Sequence, residues 1–345
     1  MVLVLTFEAL QSILCEKYFI TLHIEYIQSP RVRCVWLDLP LFAAVGHSLH
    51  RQTNLKMFIT SIAVLLRIVS NPVANVFQKR LTQGRHDPLA VNFVSYFLLS
   101  LFCVALSWRV DWALLPMAFW FYAVVAGVFG AVGNGFLVKA LAKGELSILG
   151  PVNSYKSVVG MVVGIFLLGE VPSLMGLLGV AVIIFGSYFV FETMDEGFTW
   201  SLLKNQEIRY RIYAMVLTAI EAVFIKKVII HSDTLVSFMA WCWFGALFAF
   251  VQLLLSKADI QSECRKATWR DAAACLALVA CIGTMQFTTN FVFSRIDVGY
   301  GLALFQLSTI VSVLLGYGLY HEQGIAKKLV GSAIMIAGSV MVIFS

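Results

Sequence analysis

Charge is scarce in this chain. Only 13% of its 345 residues are Asp, Glu, Lys or Arg, while 60% are hydrophobic. A water-soluble fold made from that mixture would lack polar surface to cover itself, so the composition is that of a polytopic membrane protein. Paired cysteine motifs are missing too. Cys15, Cys34, Cys103, Cys242, Cys264, Cys275 and Cys281 form no CxxC and mostly lie in or beside apolar runs. That fits neither a disulfide framework nor a zinc site and leaves them as small packing residues. No HExxH, GxSxG, Walker or aspartate-rich motif occurs, and His23, His47, His50, His86, His231 and His321 are isolated. With no connection large enough for a catalytic domain, an enzyme is not expected, and a membrane-embedded transferase is only the minor alternative. The net charge of +6 sits mostly between apolar segments, where interfacial cations belong, so nucleic acid is not an expected partner.

What is present is a series of long apolar runs. A bilayer core takes about 20 apolar residues per helix, and ten such runs occur: 58–77, 88–108, 120–141, 146–168, 174–191, 211–230, 235–255, 272–293, 298–320 and 329–344. Residues 1–56 differ, because Glu8, Glu16, Lys17, Glu25, Arg31, Arg33 and Asp38 interrupt their hydrophobics without a clear period. Met57 stands immediately before the first clean span. The expectation is that much of 1–56 is an extension outside the working protein, with a genuine interfacial segment as the alternative. The rest divides into 57–191, a polar linker at 192–210, and 211–345.

The two large pieces are copies of each other. Sliding the chain by 152 residues lays 167–187 over 319–339, so that Glu170 meets Glu322, Gly179 meets Gly331, Gly186 meets Gly338 and Ser187 meets Ser339. A shift of 147 lays VFQKR (76–80) over VFIKK (223–227). An odd number of spans per copy makes the second enter the membrane from the opposite side. The expected fold is therefore all-α and integral to the membrane, with ten transmembrane helices arranged as two inverted-topology five-helix repeats. Alternating-access carriers use that symmetry to open a midplane cavity to each side in turn.

The sequence resembles the drug/metabolite transporter superfamily, specifically its EamA-type ten-helix carriers. The resemblance rests on the paired five-helix units, Asn71-Pro72 in the first span, LLGE at 167–170, its counterpart Glu322, and the Gly179/Gly186 pattern, and it covers roughly 58–345. It implies a carrier of small solutes without fixing which, since the superfamily moves amino acids, cations, sugars and nucleotide sugars. The polar motifs of the nucleotide-sugar members are not visible.

Charge at the bilayer centre costs at least about 2.5–3.5 kcal/mol on insertion scales, so depth sorts the ionisable groups. Lys79, Arg80, Lys139, Lys226 and Lys227 lie near span ends and are expected to snorkel. Lys156 and Glu221 lie about ten residues, or about 15 Å, from either end of their helices. Asn153, at i−3 from Lys156, shares its face, and Tyr155 follows closely. Lys156 is expected either to contact an anionic group of the substrate, with Asn153 and Tyr155 adding hydrogen bonds, or to be locked in a structural pair with Glu221 or with carbonyls. The alternative for Glu221 is to carry a proton during transport. Further amides fall in the helices that line the cavity of the resembling family: Asn71, Asn75, Asn134, Gln286, Asn290 and Gln306. Tyr96, Trp243 and Tyr300 are candidate aromatic walls. Glu170 and Glu322, each just before a helix, are expected to stabilise a helix N-terminus rather than to catalyse.

The expected function is secondary transport of a small polar metabolite, anionic or zwitterionic, in the export direction across a bacterial inner membrane. A nucleotide-sugar or phosphate-ester antiporter of the same fold is the alternative. The expected partners are the small-molecule substrate, the lipid bilayer and a coupling proton, with no cofactor and no metal, in a monomer or homodimer. The positive-inside rule places the termini outside, since Arg109, Lys226, Lys227 and Arg295 are outnumbered by the cations opposite; the resemblance implies cytoplasmic termini.

Overall fold

The computed structural model describes residues 40–83, 86–108, 110–156, 158–159, 173–191, 204–256, 258, 260–296 and 298–343. The chain divides into two units, Met1–Leu65 and Leu66–Ser345, and the site described below lies wholly in the second. Glu170 and Asp297 fall outside the described residues, as do 1–39 and most of the linker.

Among the described residues the structure is helical, without strands. The helices are α1 (Pro40–Thr82), α2 (Pro88–Ser107), α3 (Met117–Lys143), α4 (Leu146–Val152), α5 (Leu174–Phe191), α6 (Gln206–Ile230), α7 (Thr234–Leu255), α8 (Ile260–Lys266), α9 (Trp269–Phe293), α10 (Val298–Phe305), α11 (Ser308–Tyr320) and α12 (Ile325–Ile343). Met57–Thr82 within α1, together with α2, α3, α7 and α9, is long and apolar enough to cross a bilayer. Their ends follow local chemistry. Asp87 caps α2 by accepting from the amides of Leu89 and Ala90, with Pro88 in its first turn. Asp233 caps α7 in the same way through Leu235 and Val236. Thr268 and Asp271 form a reciprocal capping box that starts α9 three residues before its apolar run.

Two stretches read as single spans are broken. The stretch from Leu146 is α-helical only to Val152 and then tightens into a 3-10 turn over Asn153–Tyr155. Pro151 explains part of this, because it lacks the N–H that would continue the ladder. The stretch 298–320 is interrupted between α10 and α11 at Gln306 and Leu307, where neither proline nor glycine stands. The two breaks touch, for the Gln306 Nε2 donates to the Asn153 carbonyl at 3.2 Å.

The helices pack in pairs: α3 on α6, α5 on α12, α2 on α7 and α4 on α11. Close approach of α5 and α12 depends on glycine. A Cβ on Gly331 would stand 2.7 Å from the Gly186 carbonyl, and one on Gly338 would stand 2.7 Å from the Gly179 carbonyl, so the backbones meet where these residues lack side chains. At α4 and α11, Gly150 meets Ser312 and Gly316 meets Ser147.

Candidate functional site

A cavity of about 90 Å³ lies among α1, α2, α3, α6, α7 and α9 and the two broken segments. Of the residues singled out from sequence, Asn71, Asn75, Asn134, Asn153, Lys156, Glu221 and Gln286 line it. Helices from both halves of the chain contribute, which residues 153 and 286 alone illustrate. Tyr96 lines it as well, its hydroxyl accepting from the Asn134 side chain at 2.7 Å.

Lys156 and Glu221 do not form an ion pair, contrary to one of the two expectations for the lysine. Among the described residues Lys156 has no hydrogen bond or ion pair, although Arg211, Arg67 and Glu221 are close enough to act on its charge. Glu221 is held instead by α7: its Oε1 accepts from the Trp241 indole Nε1 at 2.6 Å. Gly130 on α3 makes that contact possible, because a Cβ there would collide with the carboxylate. The carboxylate therefore sits in a slot cut by one glycine and closed by one tryptophan.

Three expected contacts fall elsewhere. Tyr155 turns away from the cavity and donates to Ser187 Oγ on α5 at 2.9 Å, packed beside Ile183, Val190 and Met335. Asn290 is fully buried behind Gln286: their side-chain amides lie 2.9 Å apart, and Asn290 reaches Ser237 of α7 at 3.3 Å, so it bridges helices. Gln306 supports the wall through the Asn153 carbonyl rather than forming part of it. Trp243 likewise bonds the Ser100 carbonyl on α2 and lies outside the lining, and the Tyr300 side chain falls outside the described ones.

Two cations in the wall escaped the sequence reading. Arg67 on α1 donates through Nε to Thr289 Oγ1 at 2.8 Å and lies 4.9 Å from the centre of the Phe305 ring. Its Nη1 is buried with no partner. Arg67 is about as deep in its span as Lys156, so the rule that selects the lysine by depth selects the arginine too. Arg211 is buried and donates through Nε to the Leu149 carbonyl at 2.8 Å. Hydropathy puts it at the edge of its span, but α6 begins at Gln206 and carries it inward by more than a turn.

The cations expected to snorkel behave differently from one another. Lys139 is 5.8 Å from the ring centres of Phe136 and Tyr210, and Lys226 donates to the carbonyls of Phe293 and Ile296. Lys79 does not snorkel. It is buried and paired with Glu322 at 3.1 Å, and Glu322 also accepts from the amides of Leu146 (2.9 Å) and Ser147 (2.8 Å). Glu322 thus serves a helix N-terminus, as expected, but that of α4 in the other half of the chain rather than of the helix that follows it. Burial pushes its carboxyl up, but the Ser147 and Leu146 bonds and the Lys79 charge outweigh this and hold it below the ordinary carboxylate value.

A search of curated proteins finds no match. Among solved structures, 26 chains match; one crystal structure superposes with a TM-score of 0.58 at 16% identity, over 81% of this chain and 96% of that one, which establishes a shared fold. The model of the EamA-like transporter family matches twice, over residues 58–192 and 208–344. With both halves of the chain so matched, the protein belongs to the EamA-like transporter family, whose members move small molecules across membranes.

Proposed function

We propose that the protein is a secondary carrier that binds a small polar anion, or a zwitterion through its anionic end, at Lys156 and exposes it to the two membrane faces in turn. The observation that carries this reading is an ammonium with no protein partner among the described residues, facing a cavity lined by both family segments. A buried cation is tolerated when something satisfies it repeatedly, and in a carrier the cargo does so. Asn153, Asn134, Asn71 and Gln286 supply the neighbouring hydrogen-bonding groups. Export across a bacterial inner membrane is the direction the family resemblance favours.

Ten spans in two inverted halves fit the packing. Gly179 is the repeat equivalent of Gly331, and Gly186 that of Gly338; Gly179 meets Gly338, and Gly186 meets Gly331. A twofold axis between two antiparallel helices produces this swapped pairing, and such an axis lies in the membrane plane. The fourth and ninth spans, broken at equivalent points beside the cavity, fit the discontinuous helices of such carriers. Residues 1–56 would then be dispensable, and mass spectrometry that recovers a native peptide from 1–40 would oppose that.

Counterflow in proteoliposomes tests the carrier reading. Exchange of an unmodified anionic solute is expected, with Lys156→Met strongly reducing it and Lys156→Arg retaining more. Chemical alteration of the solute, or a wild-type rate in Lys156→Met, would overturn it.

A further inference from the structure

Every ionisable side chain in the cavity wall, counted together, leaves an excess of charge. Arg67, Lys156 and Arg211 contribute three basic groups, while among the described lining residues Glu221 is the one carboxylate, so the formal sum is 3 − 1 = +2. A proton passed from Lys156 to Glu221 would neutralise both and leave the same +2. The excess is not absorbed by the described residues: among them Lys156 has no hydrogen bond or ion pair, Arg67 Nη1 is buried and unbonded, and Arg211 is held through its Nε by a neutral carbonyl. Two uncompensated charges in one buried cavity repel each other and resist desolvation, and a single monoanion would balance only half of them.

We infer that the solute is a compact dianion, either a dicarboxylate or a phosphate monoester, with Lys156 and the free edge of Arg67 gripping its charged atoms and Arg211 completing the balance. The inference rests on the carrier reading and narrows its substrate. Guanidinium groups match the paired oxygens of carboxylate and phosphate, and an ammonium adds a point charge free to follow either. The wall also says what the dianion carries: Asn134, Asn153 and Gln286 would hydrogen-bond a polar body between or beside the acid groups. The volume of about 90 Å³ suits a compact solute better than one the size of a nucleotide sugar.

Thermal unfolding of the purified full chain in detergent tests this without requiring transport. Succinate and glycerol 3-phosphate serve as dianionic probes, with butyrate and glycerol as monoanionic and neutral controls of similar size. At least one dianion should raise the unfolding temperature at concentrations up to about 10 mM while the controls do not. Arg67→Gln and Lys156→Met should each weaken that binding about tenfold or more, and Arg67→Lys, which keeps the charge, should weaken it less. The pH dependence separates the two sources. Stabilisation by a phosphate monoester should fade below about pH 6 as its second proton binds, and that by a dicarboxylate about a unit lower, where the first of its two carboxylates is protonated beside the other. Equal stabilisation by butyrate or glycerol, no stabilisation by either dianion, or unchanged dianion binding in both charge-removing variants overturns the inference. Counterflow of a monoanion or a zwitterion without dianion binding overturns it and leaves the carrier reading standing. Dianion binding without any counterflow does the reverse.

Discussion

Lysine is buried in two parts of this protein with opposite consequences. Around the ends of α1, α4 and α12, each buried cation meets a carboxylate: Lys79 lies 3.1 Å from Glu322, and Lys328 lies 2.6 Å from Glu145 and 2.8 Å from Ser147 Oγ. Glu322 completes the arrangement by accepting two backbone amides of α4. In the cavity, Lys156 has no hydrogen bond or ion pair among the described residues, and Arg67 keeps one nitrogen unbonded. The first region is a finished network, in which removing a member leaves others stranded. The second is unfinished, and in the proposed function its missing member is the solute. A buried charge is thus structural or functional according to whether the protein itself supplies the counter-charge.

Removing Glu322 should produce the largest stability loss. Glu322→Ala leaves Lys79 buried without its anion and two amides of α4 without an acceptor, and an abandoned buried partner costs about 3–5 kcal/mol. A large drop in unfolding temperature is expected, partly recovered by adding Lys79→Met. A change within measurement error would erase the distinction between the two regions.

Lys156→Met should do the opposite. Transport should fall about tenfold or more, since a hydrogen bond between charged groups is worth about 1.5–3 kcal/mol. Its unfolding temperature without solute should hold or rise, because no protein bond is lost and one of the repelling cations is gone. A fall as large as that of Glu322→Ala would assign Lys156 to the structural class.

An intermediate loss is expected for Lys328→Met. The Glu145 side chain is 49% exposed, so water replaces the lysine on its side, and only the Ser147 contact is stranded. About 1–2 kcal/mol should be lost in chemical or thermal unfolding. An effect equal to that of Glu322→Ala would show Glu145 to be as shielded as Glu322.

The smallest effect is on pH dependence. Because the folded-state carboxyl of Glu322 is held below its ordinary value, its contribution is complete above about pH 4.3 and is lost as pH falls through the lower, folded value. The gap in unfolding temperature between wild type and Glu322→Gln should therefore be constant at neutral pH and close in acid. A gap that widens on acidification would reverse the sign of the shift.

Hydropathy and self-similarity carry much of this protein. They locate the spans now seen as α2, α3, α7 and α9 and the repeat that the family model matches twice, because burial in lipid demands apolar runs of set length whatever the neighbours are. They also give depth, which is why Lys156, Glu221, Asn134 and Gln286 were recognisable as cavity candidates. Arg67 was equally deep and equally legible. Which way a side chain turns was not legible. Beyond Pro151 the 3-10 turn advances about 120° per residue rather than about 100°, and that change of phase sends Tyr155 to Ser187 on α5 while Asn153 and Lys156 face the cavity. Asn290 and Gln286 share a helix face, yet only Gln286 reaches the cavity, because Ser237 of α7 approaches Asn290.

The sequence by itself determined how many apolar segments there are, that they repeat, and which charges lie deep, since each is a property of distance along the chain. The tertiary structure decided which of those charges are answered. Lys79 and Lys156 look alike in sequence, each a lysine in or beside an apolar run. Glu322 lies 243 residues from Lys79, and only the folding of α1, α4 and the α11–α12 connection around one another delivers it. No described carboxylate is delivered to Lys156, because Trp241 and the gap left by Gly130 hold Glu221 back.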